Sequence, residues 1–196
     1  MSTQSPCESG VVTQGARVVF KTQWGWIGLA GSERGLCAVV LPQPARKAVE
    51  LSLGRRFGVT GCRPAADESS RFAQASQLVV ASAARQLREY LAGKRRTLDV
   101  PVDLRGGSPF QRRVWRAILS IPYGRVRSYK WVASRVGGAG YARAVGHALG
   151  ANPVPIVIPC HRVVAHDASL GGFTGGIQVK RRLLALEGIL QQLNHS

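Results

Sequence analysis

Residues 108–151, SPFQRRVWRAILSIPYGRVRSYKWVASRVGGAGYARAVGHALGA, decide the architecture of the C-terminal half of this chain. Ser108, Pro109 and Gln111 make a helix start: the hydroxyl caps free N–H groups, proline sits where its missing N–H costs nothing, and glutamine reaches back to close a capping box. Phe110, Val114 and Ile118 share one face, and Pro122 with Tyr123-Gly124 ends the run. Ser128 caps a second helix carrying Val132, Ala133 and Val136, which Gly137-Gly138-Ala139-Gly140 breaks, and a third is predicted from Tyr141 to about Ala151. Helix, glycine turn, helix on a basic chain is a helix-turn-helix outline, though helical hairpins that bind nothing share it. The third helix is nearly bare, with Ala142, Ala144, Gly146, Ala148 and Gly150. Each glycine costs a helix about 1 kcal/mol against alanine, a cost that close approach by DNA or by a packed helix would offset.

Downstream, Ile156-Val157-Ile158-Pro159-Cys160-His161-Arg162-Val163 reads as a short buried strand, ended by Pro159 and followed by a thiol, a base and a cation. A thiol with the usual pKa of about 8.5 is mostly protonated at pH 7, so a nucleophilic cysteine needs a neighbour that takes its proton or holds its charge. His161 and Arg162 offer both; the same pair also suits a packed, inert cysteine.

Upstream, Val18-Val19-Phe20, Trp24 to Ala30 and Leu36 to Leu41 surround the turn Gly31-Ser32-Glu33-Arg34-Gly35, which predicts an antiparallel hairpin or meander. Between Pro42 and about Asp67 only Ala45 to Leu53 suggests a helix. Ser70 to Ala92 is helical, with Phe72, Leu78, Ala81, Leu87 and Leu91 apolar and Gly93 as its stop. Leu98 to Leu104 alternates as an extended connector with Pro101 on an edge. The Gly106-Gly107 pair marks the boundary, which gives a loose tail at 1–15, an N-terminal α/β domain at 16–104 and a C-terminal domain at 105–196.

The chain holds 27 Lys and Arg against 10 Asp and Glu, a formal charge of +17, and from Arg105 onward the balance is 13 against 2. Such an excess implies a polyanionic partner, concentrated on the half that carries Cys160. No long apolar segment or signal-peptide pattern is present, so the expectation is a soluble, cytoplasmic monomer with no membrane partner. Cysteines at 7, 37, 62 and 160 lack disulfide-framework or zinc-type spacing, and no metal site is expected.

Pro159-Cys160-His161-Arg162-Val163 resembles the active-site motif of the O6-alkylguanine-DNA alkyltransferases, the methylated-DNA-protein-cysteine methyltransferases. The resemblance runs on in family order through Gln86 to Arg95, Phe110-Gln111 with Val114-Trp115, Ile121 to Gly124, Ser128-Tyr129, Arg143 to Gly146 and Asn152-Pro153 before Cys160. Gly171 to Gly176, Lys180, Leu183-Leu184 and Glu187 continue it, so that residues 77–188 are covered densely and the N-terminal strands loosely. It implies an α+β/α two-domain fold: a small N-terminal α/β domain with an antiparallel sheet, then a mainly helical C-terminal domain with a winged helix-turn-helix-like DNA-binding motif. It also implies DNA repair by a single-use reaction without cofactor, in which an alkyl group on guanine O6 in double-stranded DNA, or on thymine O4, moves to Cys160 from a flipped-out nucleotide.

The resemblance assigns residue roles as well. Cys160 is the acceptor, His161 takes its proton through water, Glu187 orients the imidazole, Tyr129 contacts guanine N3, and Asn152 braces the turn before the active-site stretch. The Thr174 N–H is expected near O6, the carbonyls of Cys160 and Val163 at the exocyclic amine, and Phe173 on the pocket wall. Arg143 fills the gap left in the base stack, with Ala142, Ala144 and Gly146 along the DNA, and Arg162 either contacts DNA or pairs internally. Ala168 in place of a glycine, Phe173 as one of two usual aromatics, and no proline between the helices are departures that bear on pocket width. Two other classes fit the local residues: a cysteine hydrolase or redox sensor built on the Cys-His pair, and a helix-turn-helix regulator with an inert cysteine.

Overall fold

The computed structural model describes residues 13–59, 62–64, 71–165 and 169–190; Cys7, Ala168 and most of the expected tail lie outside that range. Strands β1 (Thr13–Thr22), β2 (Gly25–Ser32) and β3 (Gly35–Gln43) form the antiparallel meander, and β4 (Cys62–Pro64) adds to β1 in parallel, in the order β3-β2-β1-β4. β1 starts ahead of the expected boundary at residue 16. Two-residue turns join the meander, and Gly35 has a φ of +150° at a point where a Cβ would sit 2.6 Å from the Pro101 carbonyl oxygen.

This sheet is covered on both faces, which is why β2 and β3 read as nearly continuous apolar runs. Ala30, Cys37, Ala38 and Val40 cluster with Val49 and Leu53 of α1 (Arg46–Val59), the segment whose first half alone suggested a helix. A side chain at Gly28 would collide with Val49 and Leu53 at 2.5–2.6 Å. Ile27, Leu29, Leu36, Val39 and Leu41 meet Val80, Ala83, Leu87 and Leu91 of α2 (Arg71–Leu91) in a cluster that continues to Val114, Trp115, Ile158 and Leu183 of the C-terminal half. The two halves therefore share one apolar core. The connector expected to be extended runs along the edge of β3, a placement the sequence did not indicate: Leu36 N–H donates to Pro101 O at 2.8 Å and Asp103 N–H to Leu36 O at 2.9 Å.

In the C-terminal half, α3 (Pro109–Leu119) begins at the Ser108 cap with both capping-box bonds, and α4 (Tyr129–Val136) begins at the Ser128 cap. Gly138 at a φ of +124° turns the chain into a single 3-10 turn and then α5 (Ala142–Gly150). Short parallel strands β5 (Arg127–Ser128) and β6 (Val163–Val164) flank this unit, and α6 (Ile177–Leu186) closes it. The small residues of α5 divide: Ala148 is buried, with its carbonyl taken by Trp115 Nε1–H at 2.8 Å, whereas Ala142, Gly146 and Gly150 face a cavity.

One local expectation fails. Ile156-Val157-Ile158 is buried but is a turn, not a strand. Ile158 N–H bonds back to Val154 O at 2.9 Å, Cys160 N–H to Ile158 O at 2.8 Å, and Ile156 takes a φ of +76°, costly for a β-branched residue. The run is apolar because it is buried; its backbone is satisfied locally rather than by a ladder. No helix among the described residues is long and apolar enough to cross a membrane.

Candidate active site

Asn152, just past α5, organises the turn that presents Cys160. Its Oδ1 accepts from Val154 N–H at 3.0 Å, while its Nδ2 donates to Ile158 O and to Cys160 Sγ, each at 3.0 Å. Cys160 opens a 3-10 turn, Cys160–Arg162, and its side chain keeps only a small opening at 6% exposure. Burial pushes its thiol up to about 11, against the lowering influence of the Asn152 hydrogen bond and the Lys180 charge. The resting sulfur is therefore a thiol.

Beside it lies a fully buried carboxylate cluster. Glu187, at the C-terminal end of α6, receives both Arg162 Nε–H at 3.1 Å and Arg162 Nη2–H at 2.9 Å, and Gly124 N–H reaches its second oxygen at 3.0 Å. His161 Nε2 lies 2.9 Å from Glu187 Oε1, and the Tyr90 hydroxyl donates to the same oxygen. Burial alone would raise Glu187, but the hydrogen bonds and charges of His161 and Arg162 outweigh it and hold the carboxyl at about 2. An ionised carboxylate only accepts, so His161 Nε2 carries the ring proton. Burial pushes His161 below its ordinary value, which leaves Nδ1 as a lone pair, buried and without a protein hydrogen-bond partner.

Cys160 opens onto a cavity of about 750 Å³ whose walls include Tyr129, Ala142, Arg143, Gly146, Phe173 and Thr174. Burial, and then the neighbouring Cys160, raise Tyr129 above the usual phenol range, so its hydroxyl is a proton donor. Thr174 Oγ1 donates to Gly150 O at 2.9 Å, tying the 171–176 loop to the end of α5. Gly175 lies so close to Leu41 of β3 that a Cβ would sit 2.3 Å from Cδ1, and Val39 N–H donates to Pro153 O at 2.9 Å. The N-terminal sheet thus abuts both rims of the site.

Residues 17–104 match the family model for the 6-O-methylguanine DNA methyltransferase ribonuclease-like domain, and residues 109–189 match that for the same enzyme's DNA-binding domain. A crystal structure of the Mycobacterium tuberculosis O6-methylguanine methyltransferase is 35% identical over 89% of this chain and 93% of that one, with a TM-score of 0.65. This chain belongs to the O6-methylguanine-DNA methyltransferase family. A Mycobacterium tuberculosis relative crystallised in complex with DNA is 38% identical over 87% of this chain and 91% of that one, with a TM-score of 0.66. A methylated-DNA-protein-cysteine methyltransferase of Mycolicibacterium paratuberculosis is 53% identical over 107 residues, which span 55% of this chain and 64% of that relative.

Within this methyltransferase-family chain, the expected site residues are sorted by the fold. Cys160, Tyr129, Phe173, Thr174, Arg143, Ala142 and Gly146 meet at one cavity, and His161, Glu187 and Asn152 are buried beside it. Arg162 takes the internal option: besides Glu187 it donates to Ile121 O at 2.7 Å. Val163 is wholly buried with its carbonyl taken by Lys180 Nζ at 2.5 Å, and neither it nor Ala144 reaches the cavity wall. Three residues escaped the sequence reading. Lys180, wholly buried, also donates to Leu170 O and pins the loop beyond Val163; burial lowers it to about 8. His147 stands on the cavity wall one turn beyond Arg143, and Tyr90 reaches the carboxylate from α2. Lys180 and Tyr90 lay inside quoted motifs, but nothing in their spacing assigned them a bond.

Proposed function

We propose that this chain repairs DNA by moving the alkyl group of O6-alkylguanine in double-stranded DNA onto Cys160, once per molecule. The observation that carries the reading is the single cavity holding the Cys160 thiol, the Tyr129 hydroxyl and the Arg143 side chain, with the His161–Glu187 pair packed beside the sulfur. The guanine O6 lies inside the duplex, so the nucleotide turns out into the cavity, at a cost of a few kcal/mol, while Arg143 from the exposed face of α5 takes its place in the stack. The narrow, nearly side-chain-free surface at Ala142, Gly146 and Gly150 lets the backbone of α5 approach DNA closely.

The thiol proton passes through a water to His161 Nδ1, and Glu187 holds the resulting imidazolium. Burial pushes the Cys160 thiol up to about 11 and keeps it protonated at pH 7, so the proton leaves as the base arrives rather than beforehand. Sulfur attacks the alkyl carbon, the carbon–O6 bond breaks, and its electron pair enters the guanine ring. There the Tyr129 O–H, kept protonated by burial, donates to N3. The product thioether has no leaving group, which makes the reaction stoichiometric. A redox-sensing role is disfavoured because such cysteines are exposed and have lowered pKa values, the opposite of Cys160 on both counts.

Intact-mass measurement after incubation with a duplex containing O6-methylguanine tests the reading. One added methyl per molecule, mapped to Cys160 and absent from Cys160→Ser, is expected; an unchanged mass in the wild-type protein would end it. Arg143→Ala separates base extrusion from chemistry. Its rate on duplex should fall about tenfold to a hundredfold, the kinetic equivalent of a lost stack-filling contact, whereas its rate on a free O6-alkylguanine base should hold within about twofold. Equal losses on both substrates would place Arg143 in another role.

A further inference from the structure

Tyr90 belongs to the N-terminal half, yet its hydroxyl ends at the carboxylate beside Cys160. Ala83, Leu87 and Tyr90 follow one another on the buried face of α2, and of the three only tyrosine carries a polar group at its tip. Two constraints fix that tip. Tyr90 lies edge-on to Tyr123 at 6.1 Å and 86°, and Gly93 at a φ of +73° ends the helix with its N–H on Tyr90 O at 2.9 Å. The phenol then donates to Glu187 Oε1 and lies 3.5 Å from His161 Nε2, so one carboxylate oxygen is shared between the imidazole, the phenol and Arg162.

We infer that Tyr90 is a positioning residue for the alkyl transfer proposed above: by sharing Glu187 Oε1 with His161 it fixes the carboxylate and limits the negative charge felt by the imidazole, so that Nδ1 stays free for the thiol proton. Donation runs from phenol to carboxylate because burial, and then the charge of Glu187, keep Tyr90 protonated. His161 is faced by Glu187 and Lys180 from α6, by Arg162 and Cys160 from its own turn, and by Tyr90 from α2. Of these, Tyr90 alone comes from the N-terminal half. The relay is thus completed by a residue outside the segment that carries the nucleophile.

Tyr90→Phe keeps the ring and removes only the O–H. Two rates are to be followed between about pH 6 and 9: methyl uptake from an O6-methylguanine duplex, and iodoacetamide alkylation of Cys160 read by peptide mass. Methyl uptake should fall about tenfold with duplex affinity unchanged. Without the phenol, the full Oε1 charge acts on His161 and favours the imidazolium, whose Nδ1 cannot accept a proton; the acid limb of both profiles should move to higher pH. Tyr123→Phe is the control. It loses a phenol bond of its own, to Leu186 O at 2.7 Å, while keeping the ring that packs on Tyr90, and should lower only the melting temperature. A Tyr90→Phe protein whose two pH profiles overlay those of Tyr123→Phe would overturn the inference. If wild-type protein takes up no methyl but the iodoacetamide profile still shifts in Tyr90→Phe, the transfer reading fails and the relay assignment stands.

Discussion

Glu187→Gln should destabilise the protein by about 3–5 kcal/mol and slow methyl uptake by about a hundredfold to ten-thousandfold. The stability loss follows from what the carboxylate neutralises: Arg162 is buried against it, and removing one member of a buried pair strands the other. For a chain of this length the loss corresponds to a melting temperature lower by about 10 °C. The rate loss follows from the tautomer. An ionised Glu187 obliges His161 to hold its proton on Nε2, whereas an amide can present its own N–H there and drive the proton to Nδ1, the atom that must accept from the thiol. The pH dependence has a defined sign. Glu187 falls from an ordinary 4.5 to about 2 in the folded chain, so its contribution is fully present above about 4.5 and disappears as pH drops through about 2. Melts of wild type and Glu187→Gln should therefore converge on acidification across that window. Parallel melting curves down to the acid limit, or undiminished methyl uptake, would show that the carboxylate does not organise the site.

What could be read from the sequence was what depends on near neighbours. The caps at Ser108 and Ser128, the glycine break after Val136 and the turn between β2 and β3 each rest on bonds spanning a few residues, and each stands where it was expected. The strands themselves were legible as a meander, but that helices cover both faces of the sheet was not read from them. The 156–158 turn was misread because β-branched residues favour strands, and the competing influence is a single side chain, Asn152, bonding on both sides of the run. The buried partners of Lys180 and Tyr90, and which of its two options Arg162 takes, were illegible for a different reason. Composition places Arg and Lys at the surface and leaves Tyr undecided, and the partners of Arg162, Lys180 and Tyr90 lie 25, 17 and 97 positions away along the chain. The site was thus recognisable by its cysteine motif, while the contacts that tune it are tertiary.

Asn152→Asp should be the most damaging change of a single atom near the sulfur, with methyl uptake slowed about a thousandfold or more. The side chain is buried at 4% exposure, and the substitution leaves the Val154 N–H bond to Oδ1 intact. The other terminus changes character. Nδ2, now donating to Ile158 O and Cys160 Sγ at 3.0 Å each, becomes an oxygen facing two acceptors. Loss of a donor at a buried site costs about 1–3 kcal/mol, and a carboxylate 3 Å from a developing thiolate opposes it by about 5 kcal/mol at an effective dielectric near 20. Only part of that sum reaches the barrier, because the new acid can escape by taking a proton, and about 4 kcal/mol corresponds to the thousandfold expected. That escape predicts a reversal in pH dependence. A protonated aspartic acid regains one donor, so Asn152→Asp should lose rate as pH rises, whereas wild type gains rate as His161 and Cys160 give up protons. Asn152→Ala, which cannot titrate, should be slow without the reversal and should melt lower, since the buried Val154 N–H loses its acceptor and Ile158 O keeps only the Cys160 N–H. If Asn152→Asp instead takes up methyl within tenfold of wild type at neutral pH, the sulfur does not depend on the amide donor, and the role of Asn152 reduces to shaping the turn.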